Sequence, residues 1–298
     1  MDDTIMVFSG RAFCSEDIEL IKWVIKTYPR LSVTELACTI CELLGWTTLS
    51  GKAKSVQCVA FLDKLELEGI IKLPPRVARE AKQKNISDME FDTSEVKGDI
   101  NSIGPINLVI ARAGKDLNRW RAYVNQYHML GYKQVFGSRL HYFIKAGERE
   151  LGCIQFSASS WALEERDKWI GWGIEDKKER LHLIVNNSRY LIFPWVRVKN
   201  LASKALSLVV KQIQDDWLQE YCYAPVLLET FVDREHFEGT CYKAANWIYL
   251  GQTKGRGRSS NSHKPNRSHK DIYVYPLERD FRAYLRGEVP YKVVNPDE

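Results

Sequence analysis

With 298 residues, 45% of them hydrophobic and 11% aromatic, the chain is long enough for two domains or one large one and too apolar for a disordered or fibrous protein. The formal charge of +5 is mild, so the placement of the basic residues matters more than their sum, and they gather near the C-terminus. A membrane span needs about eighteen consecutive apolar residues and none is present, the opening MDDTIMVFSG is acidic where a signal peptide is basic, and the seven cysteines are scattered in apolar or helical contexts. These features argue against a membrane protein and a disulfide-framed secreted one, and point to a cytoplasmic chain with free thiols.

The spacing in SEDIELIKWVIKTYP predicts a first helix with Ile18, Ile21, Val24 and Ile25 on one face, Ser15 as its N-cap and Pro29 as its stop. In LSVTELACTICELLGW, Ser32 and Glu35 form a capping box and Leu36, Ile40 and Leu43 an apolar stripe, which predicts a second. A third helix is expected from Ser55 to Glu68, followed by Gly69 and a short strand ending at Pro74. Three helices and a strand over residues 1–75 predict a winged-helix-like domain whose third helix would enter a major groove. Lys52, Lys54, Gln57 and Lys64 are the candidate nucleic-acid contacts there, set against Asp63 and Glu66, which phosphates repel; the competing reading is a unit that docks on a neighbour. Cys38 and Cys41 have the spacing of a metal half-site, but without a matching second Cys or His pair they read as core.

Residues 76–105 are polar and charged without apolar periodicity, and read as a linker or a strapped-on extended arm. From Ile106 to the C-terminus, helical and strand patterns alternate: INLVIAR as a strand, KDLNRWRAYVNQYHML as a helix, two strands around an Ala-Gly-Glu turn, then LHLIVNNSRYLIFPWVRV as a strand. A long helix with Leu201, Leu206, Val209, Val210 and Ile213 inward follows, then the strand PVLLETFVD, a short helix and a final strand DIYVYPL. The expected fold class is α+β, with helices on both faces of one sheet.

Glu229 and Asp233 interrupt the hydrophobic run PVLLETFVD, and Asn186 and Asn187 interrupt LHLIVNNSRYLIF. Polar groups in buried strands need partners, so Glu229 and Asp233 are candidate Mg²⁺ ligands or general bases, or Glu229 is a structural ion-pair partner of Arg189 or Lys243. His128, beside Gly131 and Tyr132, is a candidate acid, base or phosphate contact, or a helix C-terminal residue that satisfies carbonyls. Arg166, Asp167, Trp169 and Trp172 crowd together in EERDKWIGWG, as a wedge between elements or a platform for unpaired bases. Thr240 is placed to cap a helix carrying Tyr242, Lys243, Asn246 and Trp247, with Tyr242 a nucleophile or acid activated by Lys243. Beyond it Lys254, Arg256, Arg258, Lys264, Arg267 and Lys270 occur with no acid between them, among glycines and serines, the composition of a segment that grips phosphates.

Through LHLIVNNSRYLIFPWVRVKNLASKAL, LLETFVDREHFEGTCYKAANWIYLGQTKGRGR and KDIYVYPL, with CELLGW, GIIKLPP and YHMLGYK, the chain resembles the DruA-like family, named for a component of the bacterial Druantia antiphage defence systems and also met near mobile elements. That resemblance implies a defence-associated or transposon-associated role and other defence proteins as partners, without supplying a reaction. The succession of elements from residue 106 also resembles the GNAT acetyltransferase fold. There a Gly-rich turn grips the pyrophosphate of CoA, whereas here Asn200, Ala202 and Ser203 stand at the matching positions, a departure that argues against CoA. Three functions follow as expectations: a DNA-binding protein that cleaves with Mg²⁺ or Tyr242, the same protein as a non-catalytic recognition subunit, and a GNAT-type acyltransferase.

Overall fold

The computed structural model describes residues 4–47, 53–75, 90–133, 135, 137–161, 163–253 and 269–294, and the chain divides into two compact units. The first, built chiefly on the described residues up to Pro75, opens with a hairpin of β1 (Thr4–Phe8) and β2 (Arg11–Cys14). Ser9 and Gly10 join the strands with φ of 49° and 78°, the backbone a two-residue turn between right-twisted strands requires. Three helices follow: α1 (Ser15–Thr27), α2 (Val33–Leu43) and α3 (Ser55–Leu67). The stripe of α1 buries Ile18, Ile21 and Val24, while its N-cap is Cys14 rather than Ser15, with Asp17 accepting from the Cys14 N–H at 3.2 Å. In α2 the Ser32–Glu35 box is present, each side chain meeting the other residue's backbone N–H. Phe61 of α3 stacks on Phe13 of the hairpin at 4.1 Å, so the hairpin helps to fill this core. Cys38, Cys41 and Cys58 are buried in it as free thiols.

No strand forms between α3 and Pro75. Leu73 is instead tied back by its N–H to Glu66 Oε1 at 2.7 Å, and Pro74 and Pro75 carry no donor for a ladder. Among the described residues the unit therefore carries its hairpin before the helices, and no strand stands at the position expected for the wing.

The second unit is mixed α/β around one seven-stranded sheet. Residues 90–105 lie along it: Phe91 packs tilted against Tyr123 with ring centroids 4.1 Å apart, Asp92 pairs with Arg149, and β3 (Val96–Gly98) forms a two-stranded parallel pair with β8 (Val196–Val198). Next come β4 (Ile106–Ile110), α4 (Lys115–Tyr127), β5 (Arg139–Ala146), β6 (Arg149–Ala158), α5 (Glu164–Ile170), α6 (Ile174–Arg180), a 3₁₀ turn and β7 (Ile184–Ile192). After β8 the chain forms α7 (Leu201–Tyr221), β9 (Leu227–Asp233), α8 (Thr240–Ala244), β10 (Ile248–Gln252), β11 (Lys270–Pro276) and α9 (Phe281–Leu285). The sheet order is β10-β11-β9-β7-β6-β5-β4, antiparallel throughout except for the parallel β7–β9 pair that the α7 crossover joins.

Neighbouring residues of β5 show the two faces. His141 meets the Trp120 ring of α4 at 4.5 Å, while the Tyr142 hydroxyl donates to Asp216 of α7 at 2.9 Å, so the two helices cover opposite sides. The inward stripe of α7 includes Leu201, Leu206, Val209, Ile213 and Trp217. Among the described residues, no helix is long and apolar enough to cross a membrane.

Candidate functional site

β9 lies between β11 and β7 and is buried along most of its length, so Glu229 enters the protein interior with the strand. Its carboxylate accepts from Ser159 Oγ at 2.7 Å and the Ser160 N–H at 3.4 Å, and faces Arg166 Nη1 at 3.0 Å. Arg166, also fully buried, reaches Asp167 Oδ1 at 2.8 Å, and Asp167 holds Lys177 Nζ at 2.6 Å and the Trp172 indole N–H at 3.2 Å. Two acids and two bases thus neutralise each other, with the surrounding hydroxyl, amide and indole completing their bonds, as buried charge requires. The ion-pair partner is Arg166 and not Arg189 or Lys243, and both carboxylate oxygens are occupied. Those bonds leave Glu229 buried in an ion pair rather than presented to a metal ion or a substrate.

Tyr242 enters from α8. The helix starts at Gly239, whose φ is +68° and where a Cβ would come within 2.8 Å of the Tyr273 hydroxyl, so Gly239 is the N-cap and Thr240 the first helical residue. The buried Tyr242 hydroxyl donates to Asn187 Oδ1 at 2.6 Å, and the Thr230 hydroxyl donates to the Asn187 carbonyl at 3.1 Å. Asn187 and Thr230 are the last rung of the parallel β7–β9 pairing, so Tyr242 closes the point where the two strands part. Burial holds its phenol far above the ordinary value, the opposite of an activated nucleophile. Consecutive helical residues point about 100° apart. Lys243 accordingly faces solvent while Tyr242 is buried.

His128 caps α4, its N–H on the Val124 carbonyl at 3.1 Å and its Nδ1 accepting from the Leu130 N–H at 3.2 Å. Burial and the neighbouring Arg189 guanidinium lower its pKa to about 4, so near neutral pH it is an uncharged turn residue rather than a proton donor. Its described contacts include none of Glu229, Asp233, Tyr242 or Lys243, and the five expected catalytic residues do not converge.

Asp233 ends β9 half-buried, and there the sequence reading missed two neighbours. Asp233, Glu235 and His236 place one ligand atom each within 4.8 Å of one another. Such a set suits a divalent cation, with the imidazole favouring Zn²⁺ or Mn²⁺ over the expected Mg²⁺. The compact spelling D-R-E-H was the available signal. Lys270 stands opposite Asp233 in the ladder, and the Thr253 N–H donates to the Lys270 carbonyl at 2.9 Å, so the ends of the basic segment leave from neighbouring strands beside this cluster. Of the other expected nucleic-acid contacts, Lys54 caps α3 and Gln57 is exposed on its first turn. Lys52, Lys254, Arg256, Arg258, Lys264 and Arg267 lie outside the described residues.

The family model described as "Druantia protein DruA" matches residues 75–264. No curated protein matches the chain. Among solved structures it is similar to FeeM, an N-acyl amino acid synthase from uncultured soil microbes, at 14% identity and a TM-score of 0.38 over 58% of this chain and 90% of that one. It is also similar to an N-acetyltransferase from Staphylococcus aureus Mu50, at 12% identity and a TM-score of 0.36 over 58% and 99%. A third is aminoglycoside acetyltransferase AAC(6')-Ib in complex with coenzyme A, at 13% identity and a TM-score of 0.37 over 62% and 100%.

Proposed function

Because the chain belongs to the family of the Druantia protein DruA, we propose that it serves antiphage defence as a nucleic-acid-binding component that recognises DNA and works with other defence proteins. The observation that carries this reading is the basic segment: Lys254, Arg256, Arg258, Lys264, Arg267 and Lys270 follow one another with no intervening acid. Recognition without covalent chemistry is favoured over cleavage by Glu229, Tyr242 or His128, because the first is ion-paired, the second buried and un-ionised, and the third an uncharged cap. The acyltransferase reading rests on the scaffold alone, and the scaffold does not specify the site.

Binding to fluorescent single-stranded, duplex and forked DNA across a salt series tests the proposal. Replacing Lys254, Arg256 and Arg258 by Gln is expected to lower the slope of log K against log salt by about 3 on duplex DNA, at about 0.9 per lost phosphate contact. No binding at low salt, or an unchanged slope, would sink it. A second reading, metal-assisted cleavage at the end of β9, is favoured by the Asp233–Glu235–His236 set beside Lys270. Products from the same reactions, with Mg²⁺ or Mn²⁺ and then with chelator, run on a denaturing gel, separate the two. Cuts that vanish in Asp233→Asn/His236→Gln would replace recognition by cleavage, and intact DNA would retain recognition.

A further inference from the structure

His141, Gln155 and Arg189 stand opposite one another on β5, β6 and β7, so alternation along the strands puts them in one row on the face that α4 covers. Arg189 is half-buried, while Gln155 and His141 are buried, at 1% and 5% exposure. Neither the Nε2 nor the Oε1 of Gln155, nor the Nε2 of His141, has a hydrogen-bond partner among the described residues. Asn186 Oδ1 is likewise buried and unpartnered. Buried amides are almost always paired, and the exceptions concentrate where a protein gives up stability for a ligand.

The free groups define what would satisfy them. Gln155 offers one donor and one acceptor in a plane, which is half of a bidentate contact. His141 is uncharged, because burial and then Arg139 and Arg121 push its pKa down to about 3. The Arg189 guanidinium, at the half-buried end of the row, donates to the Gly131 carbonyl at 3.1 Å and the Ser188 carbonyl at 2.6 Å. An ammonium would be repelled by Arg189, Arg139 and Arg121, and a carboxylate or phosphate, though drawn by them, would leave Gln155 Oε1 without a donor. A neutral planar edge with a donor beside an acceptor meets neither objection.

We propose that the His141–Gln155–Arg189 row is a binding site for a small neutral ligand with a planar donor–acceptor edge, the edge that nucleobases and carboxamides share. It uses none of the residues of the phosphate grip and does not rest on DNA binding.

The test titrates the intact chain separately with adenosine, cytidine, guanosine, thymidine and nicotinamide, followed by saturation-transfer NMR and by Tm. At least one compound is expected to bind saturably and raise Tm. Gln155→Met, folded by circular dichroism and no less stable than the parent without ligand, is expected to weaken that binding at least tenfold. A nucleoside response assigns the edge to a base, and a nicotinamide response assigns it to a carboxamide. If no compound binds, or if binding survives Gln155→Met unchanged, the row encloses water only and the proposal falls. Arg189→Met, at the half-buried end of the row, gives the same reading should Gln155→Met fail to fold. Loss of DNA binding in the basic-segment variant would leave these outcomes untouched.

Discussion

Glu229 and Gln155 are both fully buried polar side chains, two strands apart in the same sheet, yet their surroundings are opposite. Around Glu229 the carboxylate has Ser159, Ser160 and Arg166, and the charge is carried outward to Asp167 and Lys177. Around Gln155 no partner stands at either end of the side-chain amide among the described residues. Polarity inside a sheet therefore does not mark a site by itself. The paired group holds the fold together, and the unpaired one is where the fold leaves chemistry unspent.

Removing a partner from the satisfied region should produce the largest effect. Arg166→Met leaves Glu229 as an uncompensated buried charge and is expected to cost about 3–5 kcal/mol in urea unfolding. The double variant Arg166→Met/Glu229→Met should recover most of that loss, because apolar side chains of similar volume replace a buried pair at little cost. A double variant as unstable as the single one would mean that Arg166 stabilises through Asp167 and Trp172 instead.

Acid probes two buried imidazoles, one in the unsatisfied row and one in the 3₁₀ turn before β7. Burial holds His141 and His182 at about 3, below the usual histidine value of about 6.5. Their folded pKa values are depressed, so below pH 6.5 the unfolded chain takes up protons that the native state refuses. Stability present above pH 6.5 is therefore lost as the pH falls toward about 3, by roughly 1.4 kcal/mol per pH unit for each histidine. Urea midpoints between pH 7 and 5 measure this, and His141→Phe should flatten the slope by one histidine's share. An identical slope in that variant would place the acid sensitivity elsewhere.

Much of this contrast was half-legible in the sequence. A glutamate within PVLLETFVD announces that it needs a partner, but the partner comes from 63 residues away, on a seven-residue helix too short to show periodicity. Arg189 and Lys243 were nearer in the chain and are not the answer. The Ser32–Glu35 box, the stripe of α7 and most of the succession of strands and helices from residue 106 could be read because each is a local pattern, although β10 was missed and the order of strands in the sheet was not foreseen. The missing wing could not, since an apolar run such as IIKL becomes a strand only when another strand lies beside it. The separation of Tyr242 from Lys243 follows from helix geometry that adjacency in sequence conceals. The Asp233–Glu235–His236 set is spelled within four residues, but three polar residues at a strand end look like any exposed turn.

The smallest expected effect converts a paired group into an unpaired one. Tyr242→Phe keeps the ring against Trp247 and Tyr273 but removes the hydroxyl that donates to Asn187 Oδ1, leaving that acceptor in the condition of the Gln155 amide. Asn187 cannot turn away, because its Nδ2 is committed to the Gln155 carbonyl at 3.0 Å and the Arg189 carbonyl at 3.1 Å, across the irregularity in the β6–β7 ladder. The expected cost is about 1–3 kcal/mol, the penalty of a buried acceptor without a donor, read as a shift of the urea midpoint at unchanged m. DNA affinity should stay as it was, since the hydroxyl is sealed inside the sheet. A variant that unfolds normally but no longer binds or cuts DNA would return Tyr242 to the chemistry and overturn its assignment as a brace between β7 and β9.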